Sequence, residues 1–126
     1  MFNIKWKSIG VSYKKFYDGT YSYKQGDQWD NTSIKITLPT AGVYAFVIFC
    51  APCATGNQYD AITIGVSGLN TLRAQCSFAL AFGKDFYPTI THSFTEYVNA
   101  GTYGLAIWSS YARLINNAGI FAIRLA

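Results

Sequence analysis

His92 is the chain's one histidine, and with the acids Asp18, Asp27, Asp30, Asp60, Asp85 and Glu96 and the thiols Cys50, Cys53 and Cys76 it forms the stock for any acid-base, nucleophilic or metal chemistry. An imidazole titrates near neutrality, but it acts as a general base only where a nucleophile and an orienting carboxylate converge on it. Thr91-His92-Ser93 lies in a polar, strand-like stretch and brings neither by spacing, so His92 reads as a surface or edge histidine. Asp27 and Asp30 flank Trp29. Glycoside hydrolysis needs two carboxylates set across a cleft, so a pair this close in one loop reads instead as turn aspartates bonding to nearby amides. Cys50 and Cys53 enclose Ala51-Pro52 after an apolar strand. A redox pair opens a helix that lowers the thiol pKa, and a zinc site needs a second ligand pair at suitable spacing. An odd number of cysteines argues against a closed disulfide framework, and these three read as small buried hydrophobes. No strand-to-helix junction builds a phosphate loop. The expectation is no catalytic residues, no metal and no cofactor: not an enzyme.

The same residue types suit binding better. An indole or phenol ring offers a flat apolar face to a sugar, and a few neighbouring Asp, Asn or Arg groups supply directional hydrogen bonds to hydroxyls. Three loop stretches carry this mixture: Trp29 with Asp27 and Asp30; Asn57 with Tyr59; and Tyr111 with Arg113 and Asn116. Loops carry function more often than the elements they join, so these residues are the candidate ligand set.

Something must position them, and composition limits what. The chain has 126 residues, of which 13% are charged and 17% aromatic. Charged residues are near half the usual share of roughly 25%, and a chain of this length builds a core without metal or disulfide. The rings exceed what one small core needs, so apolar surface is left for an oligomer contact or a ligand patch. The formal net charge is +4, with Lys5, Lys7, Lys14, Lys15 and Lys24 concentrated early. These alternate with Ile4, Trp6, Tyr13 and Phe16, a pattern of solvated strand faces rather than a basic stripe for nucleic acid. The longest apolar stretch, residues 42–53, is too short to span a bilayer as a helix. Residues 1–20 show no apolar run or cleavage site of a secretory leader. The expectation is a chain made in a cytoplasm, or a piece of a longer protein.

Strand signals recur with turn residues between them, and no long stretch keeps a helical period. Phe2–Lys7 alternates. Val11–Tyr17 and Thr20–Lys24 flank Asp18-Gly19 and predict a hairpin. Gln25–Thr32 reads as a polar loop. Ser33–Leu38 alternates cleanly, with Ile34, Ile36 and Leu38 on one face. Val43–Cys50 is apolar on both faces: Tyr44, Phe46 and Ile48 point one way, and Val43, Val47 and Phe49 the other. Further strands are expected at Ala61–Val66, Leu72–Phe82, Thr89–Val98, Thr102–Ser110 and Gly119–Leu125, with Tyr111–Ala118 as a loop. The expected fold is all-β: a jelly-roll sandwich of about ten antiparallel strands without substantial helix, as one domain over residues 1–126.

Three stretches, "SIKITLPTAGVYAFVIF" (Ser33–Phe49), "AITIGVSGLNTLRA" (Ala61–Ala74) and "SFTEYVNAGTYGLAIWSS" (Ser93–Ser110), precede a closing "GIFAIRLA" (Gly119–Ala126). Their order resembles the jelly roll of complement globular heads and tumour-necrosis-factor-like domains, shared by tip domains of phage tail and fibre proteins. The resemblance implies trimerisation through aromatic inner strands, which assigns Tyr44, Phe46, Ile48, Phe78, Phe82, Tyr103 and Trp108 to the subunit contact. It implies a receptor-binding or adhesion module on a phage tail or virion, recognising a host-surface glycan or protein. The alternatives are a purely structural virion protein or a secreted signalling or defence domain.

Overall fold

Between Thr32 and Leu38 every second residue is buried, and between Gly42 and Cys50 the same alternation continues. That period of two is the signature of strands with one face on a core. The computed structural model describes residues 9–23, 28–52, 59–69, 74–81, 89–109 and 113–126. Its regular elements are β1 (Ser12–Tyr23), β2 (Gln28–Leu38), β3 (Gly42–Pro52), β4 (Tyr59–Ser67), β5 (Gln75–Ala81), β6 (Ile90–Val98), β7 (Gly101–Ser109) and β8 (Arg113–Arg124). They form two four-stranded antiparallel sheets, sheet A in the order β1-β8-β3-β6 and sheet B in the order β2-β7-β4-β5.

Eight strands therefore stand among the described residues where about ten were expected. The Asp18-Gly19 hairpin is absent. Residues 12–23 run on as one strand beside β8, and Asp18 and Gly19 together face the single residue Asn117. This is a β-bulge, which takes up extra residues without reversing the chain. Gly19 has φ +145°, Asn117 has φ +45°, and the Gly19 N–H donates to Asn117 Oδ1 at 3.3 Å. The twelve-residue β8 offers pairing on both sides of the bulge, and this outweighs the local turn signal. Neither Gln28–Thr32 nor Arg113–Ala118 is a loop, since both are strand. Phe2–Lys7 lies outside the described residues.

The core lies between the sheets. Leu38, Tyr44, Phe46, Ile48, Ile62, Ile64, Leu105, Ile107, Ile115 and Ile120 are each shut off from solvent. Burying one such side chain contributes about 1.5–3 kcal/mol. Tyr44, Phe46 and Ile48 were assigned to a subunit contact, as was Tyr103, and that assignment is corrected here: all four side chains lie in the chain's own core. Phe46 stacks on Phe94 at 5.1 Å and meets Tyr103 edge-on at 6.2 Å.

Two of the corners that carry the chain between sheets lie within the described residues. Thr40-Ala41-Gly42-Val43-Tyr44 links β2 to β3, and Asn99-Ala100-Gly101-Thr102-Tyr103 links β6 to β7. In each, the tyrosine hydroxyl donates back to the carbonyl four residues earlier, Tyr44 to Thr40 at 2.9 Å and Tyr103 to Asn99 at 2.6 Å. Gly42 pairs with Val98 and Leu38 with Gly101, so the corners sit side by side at one end. Arg124 braces that end: its guanidinium donates to Thr40 Oγ1 at 3.2 Å and to the Ala41 carbonyl at 3.1 Å.

Candidate functional site

With the core closed, what can meet another molecule is the outside of each sheet, and the two outsides differ. On sheet A, the residues between the core positions of β3 face outward. Val47 pairs with Phe121, Ala45 with Ile123 and Phe49 with Gly119. On the other side of β8, Phe16 also pairs with Gly119. The Phe16 and Phe49 rings lean over this glycine with centroids 5.7 Å apart, and a Cβ there would lie 2.5 Å from Phe16 Cδ1 and 2.7 Å from Phe49 Cε1. Phe16 stays 51% exposed and Tyr97, on edge strand β6, 64%. Lys14 stands at the rim with Nζ 6.0 Å from the Phe16 ring centroid.

On sheet B the outward residues other than Trp29 and Trp108 are small or polar. Trp29 pairs with Trp108, which pairs with Thr63, which pairs with Ser77. The next row is Asn31, Ala106, Gly65 and Gln75. Beyond it Lys35 pairs with Gly104, and Gly104 with Ser67. Thr63 Oγ1 and Ser77 Oγ share a 2.7 Å hydrogen bond. Between Asn31 and Lys35 the strand bulges. Thr32 turns inward there, donating its hydroxyl to the Leu105 carbonyl at 2.8 Å and accepting the Ile34 N–H at 3.2 Å. This keeps Trp29, Asn31, Ser33 and Lys35 on one face.

The Trp29 ring has a determined attitude. It starts on β2, yet its Cη2 lies 3.6 Å from the Cβ position of Gly65, on β4. Two strand spacings of roughly 4.8 Å separate these strands. A side chain that bridges them must lie along the sheet rather than stand off it. The indole thus crosses β7, where outward-facing Ala106 is only 4% exposed, while Trp29 remains 43% exposed. The tip of the ring reaches over small residues while much of the side chain stays open to solvent.

Among the described residues the candidate ligand set is divided between the two sheets. Trp29 is on the outer face of sheet B and Asn116, by its pairing with Ala51 and Thr20, on the outer face of sheet A. Asp30 pairs with buried Ile107 and so points between the sheets. The backbones of Tyr59 and Arg113 open β4 and β8, and Asp27, Asn57 and Tyr111 lie outside the described residues. Of the remaining interface assignments, Trp108 lies on the outer face of sheet B. Phe78 is described only by its pairing with Ile62, and Phe82 lies outside the description.

Among the described residues the titratable groups show no converging chemistry. His92 is half-buried on β6 and stacks on Phe94 at 5.3 Å. Among the described residues no three His, Cys, Asp or Glu side chains form a group that could hold a metal ion, and no helix is long and apolar enough to cross a membrane. Burial pushes the Cys50 thiol up to about 12, and Cys50 and Cys76 are both free thiols. Burial, with the neighbouring Tyr44, also raises Tyr103.

Two sequence signals match these placements. The Ala-Gly-x-Tyr segment occurs twice, at Ala41–Tyr44 and Ala100–Tyr103, and marks both corners. In β7, Tyr103, Leu105 and Ile107 alternate with Gly104 and Ala106, which leaves a small-residue floor beside Trp108.

No protein-family model matches the chain, and no curated protein matches it by sequence. Solved structures do. Eiger TNF from S. frugiperda superposes with TM-score 0.64 at 13% identity over 94% of both chains. The PRD1 vertex protein P5 gives TM-score 0.60 at 12% identity, over 94% of this chain and 99% of that one. The globular domain of the zebrafish complement 1qA protein gives 0.56 at 12% identity, over 93% and 98%. Two four-stranded antiparallel sheets, these strand orders and these likenesses agree: the chain has the jelly-roll fold of tumour-necrosis-factor-like and complement globular domains.

Proposed function

We propose that this chain is a non-enzymatic attachment module on the surface of a virion or phage tail, closed into a homotrimer, that binds a host-surface glycan or protein. The observation that carries it is the outer face of sheet A. Phe16, Val47, Phe49, Phe121 and Ile123 form a continuous apolar face on the outside of a closed sandwich, with Phe16 half-exposed. Apolar patches of this kind mark interaction sites. Copies of one chain cover such a patch without open-ended growth when heterologous contacts close a ring. Sheet B then faces outward, with its polar groups and two tryptophans. The likeness to a vertex protein supports a particle setting.

Sedimentation equilibrium tests this. Wild type is expected at three times the 13.9 kDa chain mass, and Phe16→Glu with Val47→Lys at the single chain mass with its far-ultraviolet spectrum unchanged. A wild type that stays at the single mass to millimolar concentration overturns the proposal. Binding of the wild-type oligomer to host cells separates attachment from a purely structural role.

A further inference from the structure

We infer that the outer face of sheet B carries a site for a neutral saccharide, with the open face of the Trp29 indole as its platform. This rests on the reading of the chain as an attachment module, and it names the ligand class and the place. The candidate loops are not needed for it.

The site is built in three layers. The floor is Ala106 and Gly65, small enough for the indole to lie flat on the sheet. The platform is the indole itself, on a residue that is 43% exposed. The rim is neutral and polar: Asn31 on the same strand, Gln75 beyond Gly65, and the Thr63–Ser77 hydroxyl pair. A pyranose ring is the molecule with the complementary surfaces. One of its faces is a patch of C–H groups that sits against a flat ring, and its edge is a circle of hydroxyls that take directional bonds from amides and hydroxyls.

Charge decides against the other flat ligands. A nucleobase also stacks on indole, but single-stranded nucleic acid needs a cationic groove beside the platform. Among the described residues of this face Lys35 is the one charged side chain, displaced toward Gly104. An acidic saccharide needs the same cations. A protein hot spot needs a desolvated pocket, and here the ring lies on an open sheet.

The test is a titration of the 15N-labelled full chain, which has three indole N–H signals, assigned by single Trp→Phe variants. The probes are cellotetraose, laminaritetraose, mannotetraose and chitotetraose, with a sulfated disaccharide and an oligothymidylate as charged controls. At least one neutral tetrasaccharide is expected to shift the Trp29 signal saturably at millimolar concentration, and neither charged control to do so. Trp29→Ala is expected to weaken that binding at least tenfold and Trp29→Phe, which keeps a smaller flat ring, less. Ala106→Leu, which lifts the platform, is expected to weaken it several-fold, and Asn31→Ala, exposed and harmless to the fold, two- to fivefold. A set of neutral tetrasaccharides that leaves Trp29 unmoved overturns the site. So does neutral-sugar binding that Trp29→Ala leaves intact, or a Trp29 signal that answers only the oligothymidylate. Sedimentation of the same samples keeps the two ideas apart. A trimer without sugar binding removes this site and leaves the assembly standing, whereas a monomer that binds sugar does the reverse. Loss of the trimer in Trp29→Ala would make the face a contact between copies and overturn the saccharide.

Discussion

The outer faces of sheets A and B obey the same alternation and end with opposite surfaces. On sheet A the central strands turn outward Val43, Ala45, Val47 and Phe49 of β3 with Phe121 and Ile123 of β8, flanked by Thr91, Ser93 and Thr95 on edge strand β6 and Lys14 on β1. On sheet B the outward residues are Asn31, Ser33, Lys35 and Thr37, joined by Gly104 and Thr102, with Trp29 and Trp108 as the large rings at one end. The core-facing rows are alike, with Tyr44, Phe46 and Ile48 in one sheet and Ile34, Ile36 and Leu38 in the other. A period of two fixes where a strand faces the core. It does not fix what the far side meets, and only the chemistry of the alternate residues does that.

The largest effect separates the inside of sheet A from its outside. Phe46→Ala removes a ring packed between Phe94 and Tyr103 and is expected to cost about 3–5 kcal/mol in urea unfolding of the dissociated chain. Phe16→Ala, at a half-exposed position, is expected to change that stability by about 0.5 kcal/mol or less while weakening self-association. If both variants unfold alike, the outer face holds the monomer together and the contrast between faces is wrong.

A smaller effect compares what lies over each sheet's glycine. A Cβ on Gly65 would meet the Ala74 carbonyl at 3.0 Å and Gln75 Cγ at 3.1 Å. The carbonyl is backbone and cannot swing aside, so Gly65→Ala is expected to cost about 1–3 kcal/mol by overpacking. At Gly119 the obstacles are the ends of two phenylalanine side chains, Phe16 and Phe49. Rings can rotate away, so Gly119→Ala is expected to cost less, about 1 kcal/mol, and to act mainly on the sedimentation profile by disturbing the apolar face. Equal unfolding costs would mean that the rings over Gly119 are as fixed as backbone.

The legibility of the sequence follows the same division. Ser33–Leu38 declared its core face because its alternate residues are polar, and the structure keeps it. Val43–Cys50 declared only that both faces are apolar. With no polar residue to mark the phase, its two rows were exchanged, and Tyr44, Phe46 and Ile48 were sent to an interface while Val47 and Phe49 occupy the outside. Trp29 was legible as an aromatic binding candidate but not as a strand residue, because its inward neighbours Asp30 and Thr32 are polar and hide the alternation that places Trp29, Asn31, Ser33 and Lys35 on one face. Asp18-Gly19 carries the chemistry of a turn and serves as a bulge, since a local preference yields to the pairing that a long neighbouring strand supplies. Apart from Asn31, the polar residues that share this face with Trp29 come from β4 and β5, some thirty to fifty residues further along the chain, and no local pattern could have joined them.

The smallest effect contrasts two thiols that the sequence treated alike. Cys50 ends the core-facing row of sheet A and is shut off from solvent, whereas Cys76 lies half-buried on β5, the edge strand of sheet B. Alkylation proceeds through the thiolate, and burial raises Cys50 from 9.0 to about 12. In Cys53→Ser protein at pH 8, iodoacetamide followed by peptide mass spectrometry is expected to modify Cys76 well before Cys50. The same shift gives the folded state a pH dependence of known sign. Below pH 9 the Cys50 thiol is protonated in both folded and unfolded chains and contributes no slope. Between pH 9 and about 12 the unfolded chain releases a proton that the folded chain keeps, so stability falls as pH rises through this window. Tyr103, also raised by burial, steepens the fall above pH 10. The urea midpoint is therefore expected to be level up to pH 9 and to decline beyond it, and Cys50→Ala is expected to decline less steeply. An unchanged slope in that variant would place the alkaline loss elsewhere, and equal labelling of both cysteines would mean that the inner row of sheet A is open to water.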